Sequence, residues 1–288
     1  MSRLRPLNLA AAAAHLVQAV LILVLSTDFS LPVSAMFASG PPGQPASGDR
    51  VEELFSYPLG PAVALFSLLS AAFHLLVASP WGWPRYQREL EAGQNRFRWV
   101  EYSLSASLMI VLIAGITGIT DVVALLGLFA LNASMILFGW LMETRNEPGE
   151  GADWSPFVFG SVAGAVPWIG IAIYLFGAGS AVPNFVYGIF VTIFVAFNCF
   201  AVVQLLQYRA RGRWADYLHG ERAYIVLSFV AKSLLAWQLF AIVQLLQYRA
   251  KGRWADYLHG ERAYIVLSFV AKSLLAWQLF ANVLVETS

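Results

Sequence analysis

Apolar residues in this chain come in long runs broken by short polar segments. They do not show the period-two alternation of half-buried strands. A membrane-spanning helix needs about 20 predominantly apolar residues. Runs of that length fall at 7–26, 58–79, 97–117, 121–142, 157–177, 184–207, 223–247 and 263–284. The pattern predicts an all-α membrane protein. Pro167 falls inside one run, where neighbouring helices can satisfy the backbone groups that a proline frees. One connection is long: residues 27–57 are rich in Gly, Pro and Ser, and a loop of that length is usually functional or disordered.

Lysine and arginine in short loops set the orientation. With the N-terminus inside, that side collects Arg3, Arg5, Arg85, Arg88, Arg96, Arg98, Arg145, Arg209, Arg211, Arg213 and Arg222. Up to the seventh run the outside holds only Arg50, so a cytoplasmic N-terminus in the cell membrane is expected. A repeat then breaks the alternation. Residues 242–281 copy 202–241 with two differences, Val202/Ile242 and Arg211/Lys251. Strict alternation would put the second RAKGRWADYLHGER loop outside. Two units at the C-terminus do not make a repeat architecture. A recent tandem duplication and a sequence-assembly error leave the same letters. The chain accordingly divides into 1–248 and a tandem copy, 249–288.

Composition agrees with a membrane protein. Of 288 residues, 59% are hydrophobic and 12% charged, about half the charged share of a soluble domain. The net charge of +1 argues against nucleic acid as a partner and leaves membrane lipid. Cys199 is the one cysteine and cannot form an internal disulfide. The N-terminal run is too long for a signal peptide and lacks a convincing small-residue cleavage site. There is no hydrolase motif, no phosphate-binding Gly-rich loop and no metal-ligand spacing, so neither an enzyme nor a metal site is expected.

Charge inside the membrane carries the chemistry. Every Lys and Arg falls in a loop or at the N-terminus except Lys232 and its copy Lys272, and Glu101 is the one carboxylate clearly within a run. Glu143 falls at a helix end. Such residues are functional-site candidates and usually pair. At about 1.5 Å per residue, Lys232 lies near mid-membrane, and Ser228 lies one turn earlier on the same face. Glu101, His15 and His74 enter from the same side, so five polar side chains from four runs share the inner half of the bilayer. A lysine out of water is the standard amine for a Schiff base with a carbonyl ligand, and the resulting cation needs a nearby anion. Histidines beside it can tune or accept a proton.

Blander roles fit the same residues. Lys232 fits a substrate-binding charge in a chromophore-free transporter. His15 and His74 fit interhelical hydrogen-bond donors, and Ser228 fits a bond to its own helix carbonyl. Most aromatics fit lipid contact, core or the interfacial belt, with Trp99, Trp140, Trp154 and Trp237 assigned to the belt. Tyr102, Trp168, Phe194 and Phe197 are the candidates for lining a ligand pocket.

Seven helices, with a lysine in the seventh and a carboxylate in the third, resemble a microbial rhodopsin. The segments NRFRWVEYSLSASLMI at 95–110, FHLLVASPWGWPRY at 73–86 and SFVAK at 228–232 resemble heliorhodopsins, as does the inside N-terminus. The similarity covers residues 1–241. It implies a seven-transmembrane rhodopsin-like bundle plus an eighth, duplicated C-terminal helix. It implies all-trans retinal on Lys232, or on Lys272 if the second copy docks as the seventh helix, with Glu101 as counterion and Ser228 beside the Schiff base. His15 and His74 become the histidines of the inner polar cavity. It further implies a homodimer, a short β-hairpin in 27–57, and a slow photosensory protein that signals to an unidentified partner without pumping. Independently of the resemblance, the third run carries no second carboxyl group between Glu101 and Asp121, so a pump's reprotonation relay is absent. A light-gated proton conductor through His15, His74 and Glu101 is the alternative. Lys232 is preferred to Lys272 on the positive-inside rule and chain connectivity; its Ser228 also lies on the side of the inner cluster, whereas a reversed second copy would place Ser268 on the other side.

Overall fold

The computed structural model describes residues 1–248 except 2, 27, 39, 43–49, 150, 180, 181 and 183. Lys272, Ser268 and the run 263–284 lie outside the described residues. The chain divides into two compact units, Met1–Leu235 and Ala236–Ser288.

Helices dominate: α1 (Leu4–Leu25), α2 (Leu59–Ala78), α3 (Trp83–Glu91), α4 (Arg96–Ile116), α5 (Val122–Arg145), α6 (Ser155–Gly177), α7 (Asn184–Arg209) and α8 (Tyr217–Tyr248). Seven of these eight, all but α3, are long and apolar enough to cross a membrane. They match the first seven expected runs to within a few residues at most ends. Turn chemistry sets the boundaries. Asn95 caps α4 by accepting from Arg98 N, and Asp121 caps α5 by accepting from Ala124 N at 2.9 Å. Prolines open α3 and α6 in their first turns, where a missing N–H is harmless. After α7 the chain reverses through Ala210 (φ 48°) and Gly212 (φ 59°), so one of the two left-handed positions is held by a residue with a side chain.

In the first unit α1 packs on α2, α2 on α4, α4 on α5 and α5 on α6. Polar side chains tie α8 to several of them. Ser233 Oγ donates to Gln18 Oε1 at 2.7 Å, and Tyr102 OH donates to the Tyr224 carbonyl at 3.0 Å. Of the second unit, the described part is the end of α8, where the Trp237 and Phe240 rings meet edge to face at 5.8 Å.

The 27–57 connection contains the expected hairpin. Strand β1 (Ser30–Met36) pairs antiparallel with β2 (Val51–Pro58), with a bulge between Val33 and Ser34. Ser34 anchors it to the α4–α5 turn, where its N–H donates to Thr120 O at 2.9 Å and its hydroxyl lies 2.8 Å from that of Thr120.

Helix α3 is a departure from the sequence reading, which left 80–96 as loop. Tyr86 and Leu90 recur at helical spacing and are buried, which explains a nine-residue helix outside the apolar runs. Trp99 is a second correction. It is buried rather than in the interfacial belt, because its ring lies against Gly139 on α5.

A methyl group built on Gly139 would sit 2.5 Å from that ring, whereas one on Gly127 of the same helix meets nothing within 4 Å. Gly139→Ala is expected to destabilise the protein by about 1–3 kcal/mol through overpacking. Gly127→Ala is expected to be neutral or stabilising by up to about 1 kcal/mol. Unfolding by sodium dodecyl sulfate in mixed micelles compares the two.

Candidate functional site

Helix α4 carries the site on one face. Asn95, Arg98, Glu101, Tyr102, Ser105 and Met109 recur at spacings of three and four residues and are all buried. Glu101 meets Lys232 of α8. The Lys232 Nζ donates to Glu101 Oε1 at 2.6 Å and to Ser70 Oγ at 2.7 Å, and the Ser70 hydroxyl lies 2.7 Å from the same carboxylate oxygen. The two charged side chains are 4% and 7% exposed. Two charges this deep persist only in good geometry with further hydrogen bonds, and Ser70 supplies those. Lys232 Nζ also lies 5.0 Å from the centre of the Tyr102 ring, within cation–π range.

Beside this pair lies a polar layer from α1 and α2. His15 is fully buried, and its ring stacks on that of His74 at 5.8 Å. His74 Nδ1 lies 2.7 Å from Asn8 Oδ1. Asn8 Nδ2 donates to the Leu4 carbonyl at 2.8 Å, so the amide oxygen faces the imidazole and His74 Nδ1 carries the proton. Gln18 joins the layer by donating to Ser67 Oγ at 3.2 Å.

A cavity of about 230 Å³ opens on the other side of Lys232. Lys232 and Ser228 are among its polar lining, with Ser161, Asn198 and Gln204. Tyr102, Trp168, Phe194 and Phe197 line it, and Trp168 meets Phe194 and Phe197 edge to face at 5.2 and 5.4 Å. All four aromatic candidates therefore share one cavity. Ser228 is buried and one turn from the lysine, but the hydroxyl that contacts the amine belongs to Ser70. Sequence reasoning missed Ser70. The available signal was its position four residues before His74, on one face of α2.

A second buried ionic cluster was also missed. Arg98 does not sit in a loop. Its guanidinium is buried, with Nη2 2.5 Å from Glu143 Oε1 and Nη1 paired with Glu221. Glu101 is accordingly not the sole buried carboxylate, since Glu143 of α5 and Glu221 of α8 both lie within membrane-span helices. Neutral donors complete their coordination. Tyr86 OH and Asn95 Nδ2 donate to Glu221 at 2.9 and 2.7 Å, Tyr217 OH donates to Glu143 at 2.8 Å, and Trp99 Nε1 donates to Glu143. One cation shared by two carboxylates leaves an excess negative charge, which these donors spread. Tyr86 lies on α3, outside the spans, and its hydroxyl is held well above its usual pKa by burial and by the adjacent Glu221 carboxylate.

Removing the shared cation would leave two carboxylates facing each other out of water. Arg98→Ala is expected to cost about 3–5 kcal/mol. Glu143→Gln keeps the Arg98–Glu221 pair and is expected to cost clearly less. Chemical unfolding of the two purified variants against the parent checks the order.

The comparisons bear on the whole of this arrangement. A family model described as Heliorhodopsin matches residues 4–241 and matches again over 238–284, which takes in all of the second copy of the repeat, 242–281. A search of curated proteins found no match. The first match covers every side chain of the site and every element described above except the last turns of α8, and on that basis the chain belongs to the heliorhodopsin family, multi-pass membrane proteins of the microbial rhodopsin type in which retinal is the chromophore.

Proposed function

We propose that this protein is a light sensor of the cell membrane that holds all-trans retinal on Lys232, with Glu101 balancing the charge of the linked nitrogen. The observation that carries this reading is the 2.6 Å contact of Glu101 with the amine of Lys232, a lysine that lines a cavity rich in aromatic rings. The residues present fit the group: an amine in the cavity wall, an anion to match it, and a largely apolar lining that includes several flat rings. When bound, retinal supplies an aldehyde that condenses with an amine and a conjugated chain that changes shape on absorbing visible light.

The side chains divide the work. Before the amine can attack a carbonyl it must lose a proton, and Glu101 Oε1 lies within reach at 2.6 Å to take it. Ser70 orients both partners. Tyr102, Trp168, Phe194 and Phe197 exclude water and fix the ligand's plane. Ser228 lines the wall beside the lysine. His15 and His74 are the proton-accepting groups of the adjacent layer.

A sensor without pumping is supported by α4, which offers no second carboxyl group between Glu101 and its C-terminus; Asp121 is used as the cap of α5. A cytoplasmic N-terminus is supported by the arginines gathered at that end of the helices, against Arg50 on the hairpin. A homodimer is supported by the hairpin, which exposes Met36, Phe37, Leu54 and Phe55. The stacked histidines also favour a second reading, a light-gated proton conductor through His15, His74 and Glu101. Photocurrents under voltage clamp at several pH values separate it from the sensor.

Two spectral outcomes test the main reading. Purified protein mixed with all-trans retinal should gain a visible band shifted to the red of free retinal. Lys232→Ala should abolish that band while Lys272→Ala leaves it intact. A band that survives Lys232→Ala overturns the assignment. Glu101→Gln removes the negative charge beside the amine and should move the band to longer wavelength, with Ser70→Ala giving a smaller shift.

A further inference from the structure

A groove of about 660 Å³ lies where α2, α3 and the start of α4 meet, away from the retinal cavity. Its floor is apolar, formed by Phe73, Leu76, Phe97 and Val100. Its rim carries Arg85, Arg88 and Arg96 against a single carboxylate, Glu89. That carboxylate is already engaged: Arg96 Nε donates to its Oε1 at 3.0 Å and Arg96 N to its Oε2 at 2.9 Å. Arg85 and Arg88 are exposed and make no salt bridge among the described residues. They sit three residues apart on α3 and so share a face.

The surroundings define the ligand. The floor continues along α4, where Val100 and Leu104 are 37% and 42% exposed one turn apart, which in a membrane protein is lipid-facing. At the other edge Trp81 is 57% exposed, with the Arg85 guanidinium stacked 4.2 Å over its ring. An exposed indole capped by an arginine marks the boundary between hydrocarbon and headgroups. A soluble phosphate would have no use for the floor, and a neutral lipid no use for the rim.

We propose that this groove binds one anionic phospholipid, its phosphate held by Arg85 and Arg88 and an acyl chain lying over Phe73, Leu76 and Val100. The occupant follows from charge complementarity joined to an apolar floor, and it does not depend on retinal. Helix α3 then acts as a headgroup clamp, with Tyr86 and Leu90 fixing its inner face to the first unit.

Native mass spectrometry of the full-length protein with equal amounts of dioleoyl phosphatidylglycerol and dioleoyl phosphatidylcholine tests this. The parent should retain one phosphatidylglycerol in preference. Arg85→Gln with Arg88→Gln should reduce that preference roughly tenfold or more. Arg209→Gln with Arg211→Gln removes the same charge from another loop and should leave the preference unchanged. The single variant Arg88→Gln, at an exposed side chain, reads the same loss in smaller degree should the double variant not be recovered. Equal retention of the two lipids by the parent overturns the proposal. So does an equal loss in both double variants, which would mean diffuse surface charge, and so does displacement of the lipid by millimolar inorganic phosphate, which would mean a headgroup-only site.

Discussion

An ammonium and a carboxylate in van der Waals reach of each other, both out of water, are the constraint on which this molecule turns. Neither Lys232 nor Glu101 is tolerable there alone, because an unpaired ion in a low-dielectric interior costs several kcal/mol. Together, with Ser70 accepting from one and hydrogen-bonding the other, they are stable enough to persist. The pair fixes which face of α8 looks at α4. It also directs the cavity, because the lysine stem occupies the boundary between the polar layer of α1 and α2 and the aromatic wall from α4, α6 and α7.

The same economy appears around Arg98. Two carboxylates from α5 and α8 converge on one guanidinium from α4, and five neutral side chains donate around them or hold the guanidinium in place. Helix α4 is therefore the hub: its buried face carries an anion toward one partner and a cation toward two others, within a single turn. Seven-helix packing in a membrane lacks a hydrophobic driving force between helices, so polar links of this kind carry much of the specificity.

Much of this was legible in the letters. The bilayer demands about 20 apolar residues per crossing, and that demand marked eight runs, the first seven of which are helices among the described residues. A lysine in such a run is so unfavourable that Lys232 and Glu101 stood out as partners. Trp168, Phe194 and Phe197 followed as cavity residues from their mid-span depth, and Tyr102 from its place beside the carboxylate. What stayed hidden has a common cause. Arg98 and Glu221 lie near helix ends, where charge is ordinarily solvated, and only the partners from other helices bury them. Trp99 looks like any interfacial indole until Gly139 of α5 admits its ring. Ser70 is neutral and raises no alarm in an apolar run. Helix α3 is short and polar on one side, so a hydropathy pattern passes over it. The hairpin was expected only from family resemblance, because its β1 and β2 lack a clean alternation.

Arg98 and Glu101 are three residues apart, about 4.5 Å along α4, while their partners Glu221 and Lys232 are eleven apart, about 16 Å along α8. The long arginine and lysine stems bridge the mismatch, so the two ties diverge like stays from a mast. A slide of α8 along α4 cannot preserve both lengths with the same rotamers. The two helices are thereby held in axial register, and any event that releases one tie loads the other.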